Sequence, residues 1–245
     1  MPAASSDQPL ICLLPGLLCD RTVWEPQLPA LAKLGEVFVA DLWGPSSFAD
    51  MARKVLAETG QRRLAVAGHS MGARVALEMW RLAPERIDRL ALLSTGFHGP
   101  RPEEQGKRMG LVEVGYEKGM KAVAEKWLPP MLHPDRENDA ALMAALTAMV
   151  CRATPEIFEA QQTAGLQRPD AGDYLPRIAC PTLVLVGRQD GWSPLSQHEE
   201  MARRIPDATL SVIEDCGHMA TVERPDAVTA ALVEWMQRPA KRAAA

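Results

Sequence analysis

Among the side chains of this sequence, one serine stands where covalent chemistry is possible. Ser70 sits at the centre of Gly68-His69-Ser70-Met71-Gly72, between the apolar run Leu64–Ala67 and an apolar helical stretch from about Met71 to Leu77. The pattern G-x-S-x-G, with a strand before it and a helix after it, describes a nucleophile elbow. A side chain on so sharp a turn adopts a strained backbone conformation, and the residues two positions either side must be small for strand and helix to close together. Such a turn presents the Ser70 hydroxyl to a cleft and aims the backbone N–H of Met71 at the place where an oxyanion would form.

A serine hydroxyl needs a base that is neutral near pH 7, which is imidazole chemistry, and the base needs a carboxylate to hold its tautomer. His218, in Cys216-Gly217-His218-Met219, and Asp190, in Gly187-Arg188-Gln189-Asp190-Gly191, each follow an apolar run of strand length. Alternatives stay open at both positions. A Gly-His at a strand end is often structural, Asp215 is close enough in sequence to partner His218, and Asp190 could cap a helix at Trp192-Ser193-Pro194. His69 reads as a packing and hydrogen-bonding residue rather than a second base.

These groups need a scaffold that brings strand ends together. Continuous apolar runs at Leu10–Leu14, Glu36–Ala40, Leu64–Ala67, Arg89–Leu93, Pro181–Val186 and Ala208–Ile213 read as strands covered on both faces. Between the early ones lie helical patterns, such as the stretch opened by the capping box Ser47–Asp50, with Phe48, Met51, Ala52 and Val55 on one face. Trp24, Leu28 and Leu31 fall among Pro26 and Pro29 and read as two short turns. The alternation implies an α/β fold, a mostly parallel sheet flanked by helices. From 97 to 167 the strand pattern stops and helices are expected at about 103–113, 117–127, 135–150 and 154–164, the last with Thr154 as N-cap and Pro155 at its first position. The expected organisation is therefore a core of residues 1–96 and 168–245, with an all-helical cap, 97–167, inserted over the sheet's carboxyl edge. A further helix is expected near Pro194 and a last one from Pro225.

Over nearly its whole length, from Leu10 to about Trp235, the chain resembles the α/β-hydrolase superfamily. The carrying motifs are Gly-His-Ser-Met-Gly, Gly-Arg-Gln-Asp-Gly and Cys-Gly-His-Met, in the chain order Ser…Asp…His. The resemblance implies a triad of Ser70, His218 and Asp190, and a second oxyanion donor at the backbone of Leu17, after Pro15-Gly16. Many relatives carry His-Gly where this chain has Pro15-Gly16, so a role for that histidine side chain does not carry over. A serine at the elbow disfavours haloalkane dehalogenases and epoxide hydrolases, which have Asp there. The absence of His-Gly-Gly-Pro-Gly disfavours a proline iminopeptidase.

Composition narrows the partners. A formal net charge of −4 over 245 residues, with acids and bases interspersed, lacks the basic stripe of a nucleic-acid binder. No apolar run reaches the roughly 18 residues of a membrane span, and the first nine residues lack the basic and apolar regions of a secretory signal. Five scattered cysteines without C-x-x-C suit a reducing cytoplasm, and no His/Cys cluster has metal-ligand spacing. The expectation is a cytoplasmic enzyme without metal or cofactor, acting on a small-molecule ester through an acyl-enzyme. Enol-lactone, thioester or C–C bond hydrolysis and acyl transfer are alternatives on the same triad, and a non-catalytic small-molecule receptor is a distant one. Met109, Met120, Met131, Met143 and Met149, with Trp127 and Phe158, suggest an apolar acyl pocket under the cap, although at least half of the methionines are expected to be ordinary packing. Trp192 fits either the pocket or the core. Activity should fall on the acid side as the base protonates, about pH 6.5 for an unperturbed histidine.

Overall fold

Six strands, β1 (Leu10–Leu14), β2 (Val37–Val39), β3 (Leu64–His69), β4 (Ile87–Leu93), β5 (Thr182–Gly187) and β6 (Ala208–Ile213), form one sheet in the order β2-β1-β3-β4-β5-β6. All five pairings are parallel. The computed structural model describes residues 8–136 and 138–239.

Period-two alternation in a sheet covered on both faces explains why the inner strands are apolar along most of their length. Ile11, Leu13, Ala65, Ala67, Ala91, Leu93, Leu183 and Leu185 face one core, and Leu10, Cys12, Leu14, Leu64, Val66, Leu90, Leu92 and Val184 face the other. The short helix α1 (Leu28–Leu31) and α9 (Pro225–Gln237), through Leu31, Val228, Leu232 and Trp235, cover the first face. On the second lie α2 (Phe48–Glu58), α3 (Met71–Leu82) and α7 (Leu195–Arg204). β6 is an edge strand, with Thr209 and Leu210 exposed.

The chain starts on β1, moves outward to β2, then returns past β1 to β3 and onward to β6. The order reverses between β1 and β3, and the crevice beyond the carboxyl ends at such a point is where α/β sheets bind ligands. Over that edge stand the helices inserted between β4 and β5: α4 (Glu104–Trp127), α5 (Ala140–Val150) and α6 (Pro155–Leu166). α8 (Ala220–Glu223) follows β6.

Three sequence expectations are adjusted. β2 is shorter than the run 36–40. The two helices expected at 103–113 and 117–127 are present as the two arms of α4, but the break between them falls at Gly119 with φ 79° and ψ 168°, a conformation glycine reaches without strain. The helix expected from 135 begins at Ala140, because the Asp139 side chain accepts from Leu142 N and caps it there, leaving Pro134–Arg136 as a separate 3-10 turn. The Ser47 cap of α2 and the Thr154 cap of α6 stand as expected. Among the described residues no single helix is long and apolar enough to cross a membrane.

Candidate active site

Ser70 lies between β3 and α3 with φ 55° and ψ −115°, a strained region for a residue with a side chain. The glycines on either side explain how the turn closes. A β-carbon on Gly68 would collide with the backbone of Gly72 and Ala73, and one on Gly72 with the carbonyls of Leu14 and Pro15. Ser70 N donates to Leu93 O at 2.8 Å, tying the turn to the end of β4.

The structure brings the three expected side chains together from three strand ends. His218 Nδ1 is 2.9 and 3.0 Å from the two oxygens of Asp190, and His218 Nε2 is 2.8 Å from Ser70 Oγ. A carboxylate only accepts, so Nδ1 carries the proton and Nε2 is left to accept from the Ser70 hydroxyl. Asp190 Oδ1 also accepts from Trp192 N at 2.9 Å and Ser193 N at 2.8 Å. One carboxylate thus accepts from the imidazole and from the turn after β5, but it caps no helix, since α7 begins at Leu195 with Pro194 as its N-cap. Burial alone would raise its pKa, but the His218 imidazole and the N–H donors hold it below the usual range. Asp215, the other possible partner, is exposed in a turn at φ 49°.

The His218 loop is itself held from behind. His218 N donates to Met131 O at 2.7 Å. The fully buried Glu223 accepts from His133 N (2.7 Å), Gly217 N (3.1 Å) and Met219 N (2.9 Å), so one carboxylate joins the segment after α4 to the loop carrying the imidazole. His69 Nε2 donates to His218 O at 2.8 Å. Burial, with the nearby His218, pushes the His69 pKa down to about 4, so it is a neutral packing and hydrogen-bonding residue.

Beside Ser70, Met71 opens α3, where the first N–H groups of a helix have no intrahelical partner. The loop after β1 approaches closely enough that a β-carbon on Gly16 would lie 3.3 Å from Ser70 Cβ. Leu17 and Met71 both line the cavity that contains Ser70 and His218. Leu18, at φ 56°, donates its N–H to Gln161 Oε1 of α6 at 2.8 Å. The cap thereby holds the loop on which Leu17 sits.

That cavity, of about 540 Å³, lies between sheet edge and cap. Trp127 is buried in its wall, and Trp192, 46% exposed, stands at its mouth. Phe158 is not part of the lining. It is fully buried within the cap, its ring against the backbone of Gly115, because α4 and α6 pack on each other there. Nor is the pocket built of methionine. Of the five cap methionines only Met131 lines it, and Met120 and Met149 are buried in the core. The lining includes Arg74, Arg108 and Arg168 instead, which the sequence reading missed. A lone arginine one turn after Ser70, on an otherwise apolar stretch of α3, was the available signal.

Cys19, near the loop after β1, is buried, which pushes its thiol pKa up and leaves no thiolate. Among the described residues no cluster of His, Cys, Asp or Glu could hold a metal ion.

Similarity to known proteins agrees with this geometry. Residues 11–231 match the model of the alpha/beta hydrolase family. A thermophilic esterase from Thermogutta terrifontis superposes with a TM-score of 0.86 at 32% identity, covering 94% of this chain and 90% of that one. The enol-lactonase from Burkholderia xenovorans LB400 superposes with a TM-score of 0.85 at 26% identity, covering 95% and 92%. A putative carbamate hydrolase RutD from Caulobacter sp. (strain K31) is 28% identical over 252 residues, 95% of this chain and 92% of the relative. The chain belongs to the alpha/beta hydrolase family.

Proposed function

We propose that the chain hydrolyses small-molecule carboxylic esters through an acyl-enzyme formed on Ser70. The observation that carries this is the unbroken hydrogen-bond chain Asp190–His218–Ser70, ending on a hydroxyl in the wall of a cavity. As Ser70 Oγ attacks the ester carbonyl, His218 Nε2 takes its proton and Asp190 stabilises the imidazolium. The N–H groups of Met71 and Leu17 receive the oxyanion. Collapse of the tetrahedral adduct expels the alcohol, which takes the proton from His218. Water, deprotonated by the same imidazole, then releases the acid and restores Ser70. Trp127 and Trp192 bound the space for the substrate. No step calls for a cofactor, and the substrate is a small molecule of the cytoplasm rather than a nucleic acid or a membrane.

A lactone is the second reading, favoured by the likeness to the Burkholderia xenovorans enol-lactonase. The attack is the same, with the leaving alcohol tethered to the acyl group.

Release of nitrophenol from a series of acyl esters tests the proposal. Turnover by the wild type that falls by about 10⁴-fold or more in Ser70→Ala supports it. Activity that survives Ser70→Ala assigns the wrong nucleophile, and no turnover of any ester or lactone refutes the activity.

A further inference from the structure

The charged wall of the cavity gives a more specific substrate. On a chain of net charge −4, the lining holds five Arg or Lys side chains against two Glu. Much of this charge is already engaged. Arg168 spans both oxygens of Glu104 at 2.6 and 2.8 Å and gives its remaining N–H groups to the carbonyls of His98, Gly99 and Gly165. Arg108 donates to the same Glu104 carboxylate and to Gln162. Hydrogen bonds from Arg168 lead the causes that lower the Glu104 pKa to about 2, so one anion is shared by two guanidinium groups.

Arg74 is different. It is half-buried one helical turn beyond Ser70, and among the described residues its hydrogen bond is a single one, from Nη2 to His98 O at 2.7 Å. Among the described residues no carboxylate lies within ion-pair distance of it. Burial first, then Arg168, lowers its pKa to about 9, and it remains a cation at neutral pH. A half-buried guanidinium with free donors, in a cavity wall whose cations outnumber its carboxylates, matches a ligand that is anionic and only accepts.

We propose that Arg74 binds a carboxylate of the substrate, so that the enzyme acts on acidic esters: half-esters of dicarboxylic acids, or esters whose leaving alcohol carries a carboxylate. The proposal rests on the ester-hydrolase reading for its chemistry, but anion binding is measurable without turnover. α3 rises about 6 Å from Ser70 to position 74, which places the anion a short spacer from the scissile carbonyl.

Two matched pairs test it: ethyl hydrogen glutarate against its primary amide, and 4-acetoxybenzoate against 4-acetoxybenzamide, comparing kcat/KM. The wild type should prefer the acid over the amide by roughly tenfold or more in at least one pair. In Arg74→Met that ratio should collapse toward one, and Arg74→Lys should restore part of it. A wild-type ratio at or below one in both pairs overturns the proposal, as does a ratio that Arg74→Met leaves unchanged. If the wild type hydrolyses no ester, the ester reading fails by itself, and calorimetry of glutarate with Ser70→Ala decides the subsite. Heat of binding that Ser70→Ala/Arg74→Met abolishes supports it, and no heat overturns it.

Discussion

Gln161 Oε1 of the cap accepts the backbone N–H of Leu18 at 2.8 Å, across 143 residues of sequence. The cap therefore fixes the loop that carries the proposed oxyanion donor at Leu17, besides roofing the cavity. Replacing Gln161 by Leu strands a buried N–H, at about 1–3 kcal/mol, and frees that loop. We expect kcat on neutral nitrophenyl esters to fall by roughly tenfold or more, with loss of stability in urea unfolding. A kcat within twofold of wild type would show that the contact does not position the loop.

Glu223 does the corresponding service for the proposed base, His218. Its Oε2 accepts from His133 N and Gly217 N, and its Oε1 from Met219 N. Glu223→Gln has nearly the same volume but only one acceptor oxygen, so its amide must face a backbone donor. Destabilisation of about 1–3 kcal/mol and a fall in kcat larger than any change in KM are expected. Unchanged unfolding and unchanged kcat would contradict this role.

Two buried histidines make stability depend on acid. Thr95 N donates to His198 Nε2 at 2.9 Å, so Nδ1 carries the proton and donates to Pro194 O. Burial pushes the pKa values of His198 and His69 down to about 4. Between the unfolded value near 6.5 and the folded value, the unfolded chain binds protons that the native chain refuses. Stability is therefore full above that window and lost as pH falls through it, by about 1.4 kcal/mol per pH unit for each histidine. Urea unfolding at pH 7, 6 and 5 should show this slope, and His198→Gln should remove about half of it. An identical slope in the variant would place the acid sensitivity elsewhere.

That Ser70 and His218 would meet was legible in the sequence because the signals at both positions are local. Ser70 needs small residues at 68 and 72, and Asp190 and His218 each follow a run of strand length and composition. The choice between Asp190 and Asp215 was not local. It depends on the pairing of β5 with β6, which sets Gly187 beside Ile213 and lifts Asp215 into an exposed turn. The pocket was the least legible part, since it forms where the cap seats on the sheet edge. Trp127 and Phe158 belong to adjacent cap helices and look equivalent by composition, yet one lines the cavity and the other lies beneath Gly115. Gln161, Glu223 and Arg74 are ordinary helix polars until tertiary packing brings Leu18, His133 and the cavity to them.

Covalent capture of the nucleophile is the most direct measurement of the central claim. The protein is incubated with a fluorophosphonate ester, weighed intact and digested for peptide mapping. Nucleophilic catalysis by Ser70 predicts one phosphonyl group per chain, on the peptide containing Gly68–Gly72, with ester turnover lost in parallel and no adduct in Ser70→Ala. An adduct on another residue, or full ester turnover by a chain labelled at Ser70, would contradict it.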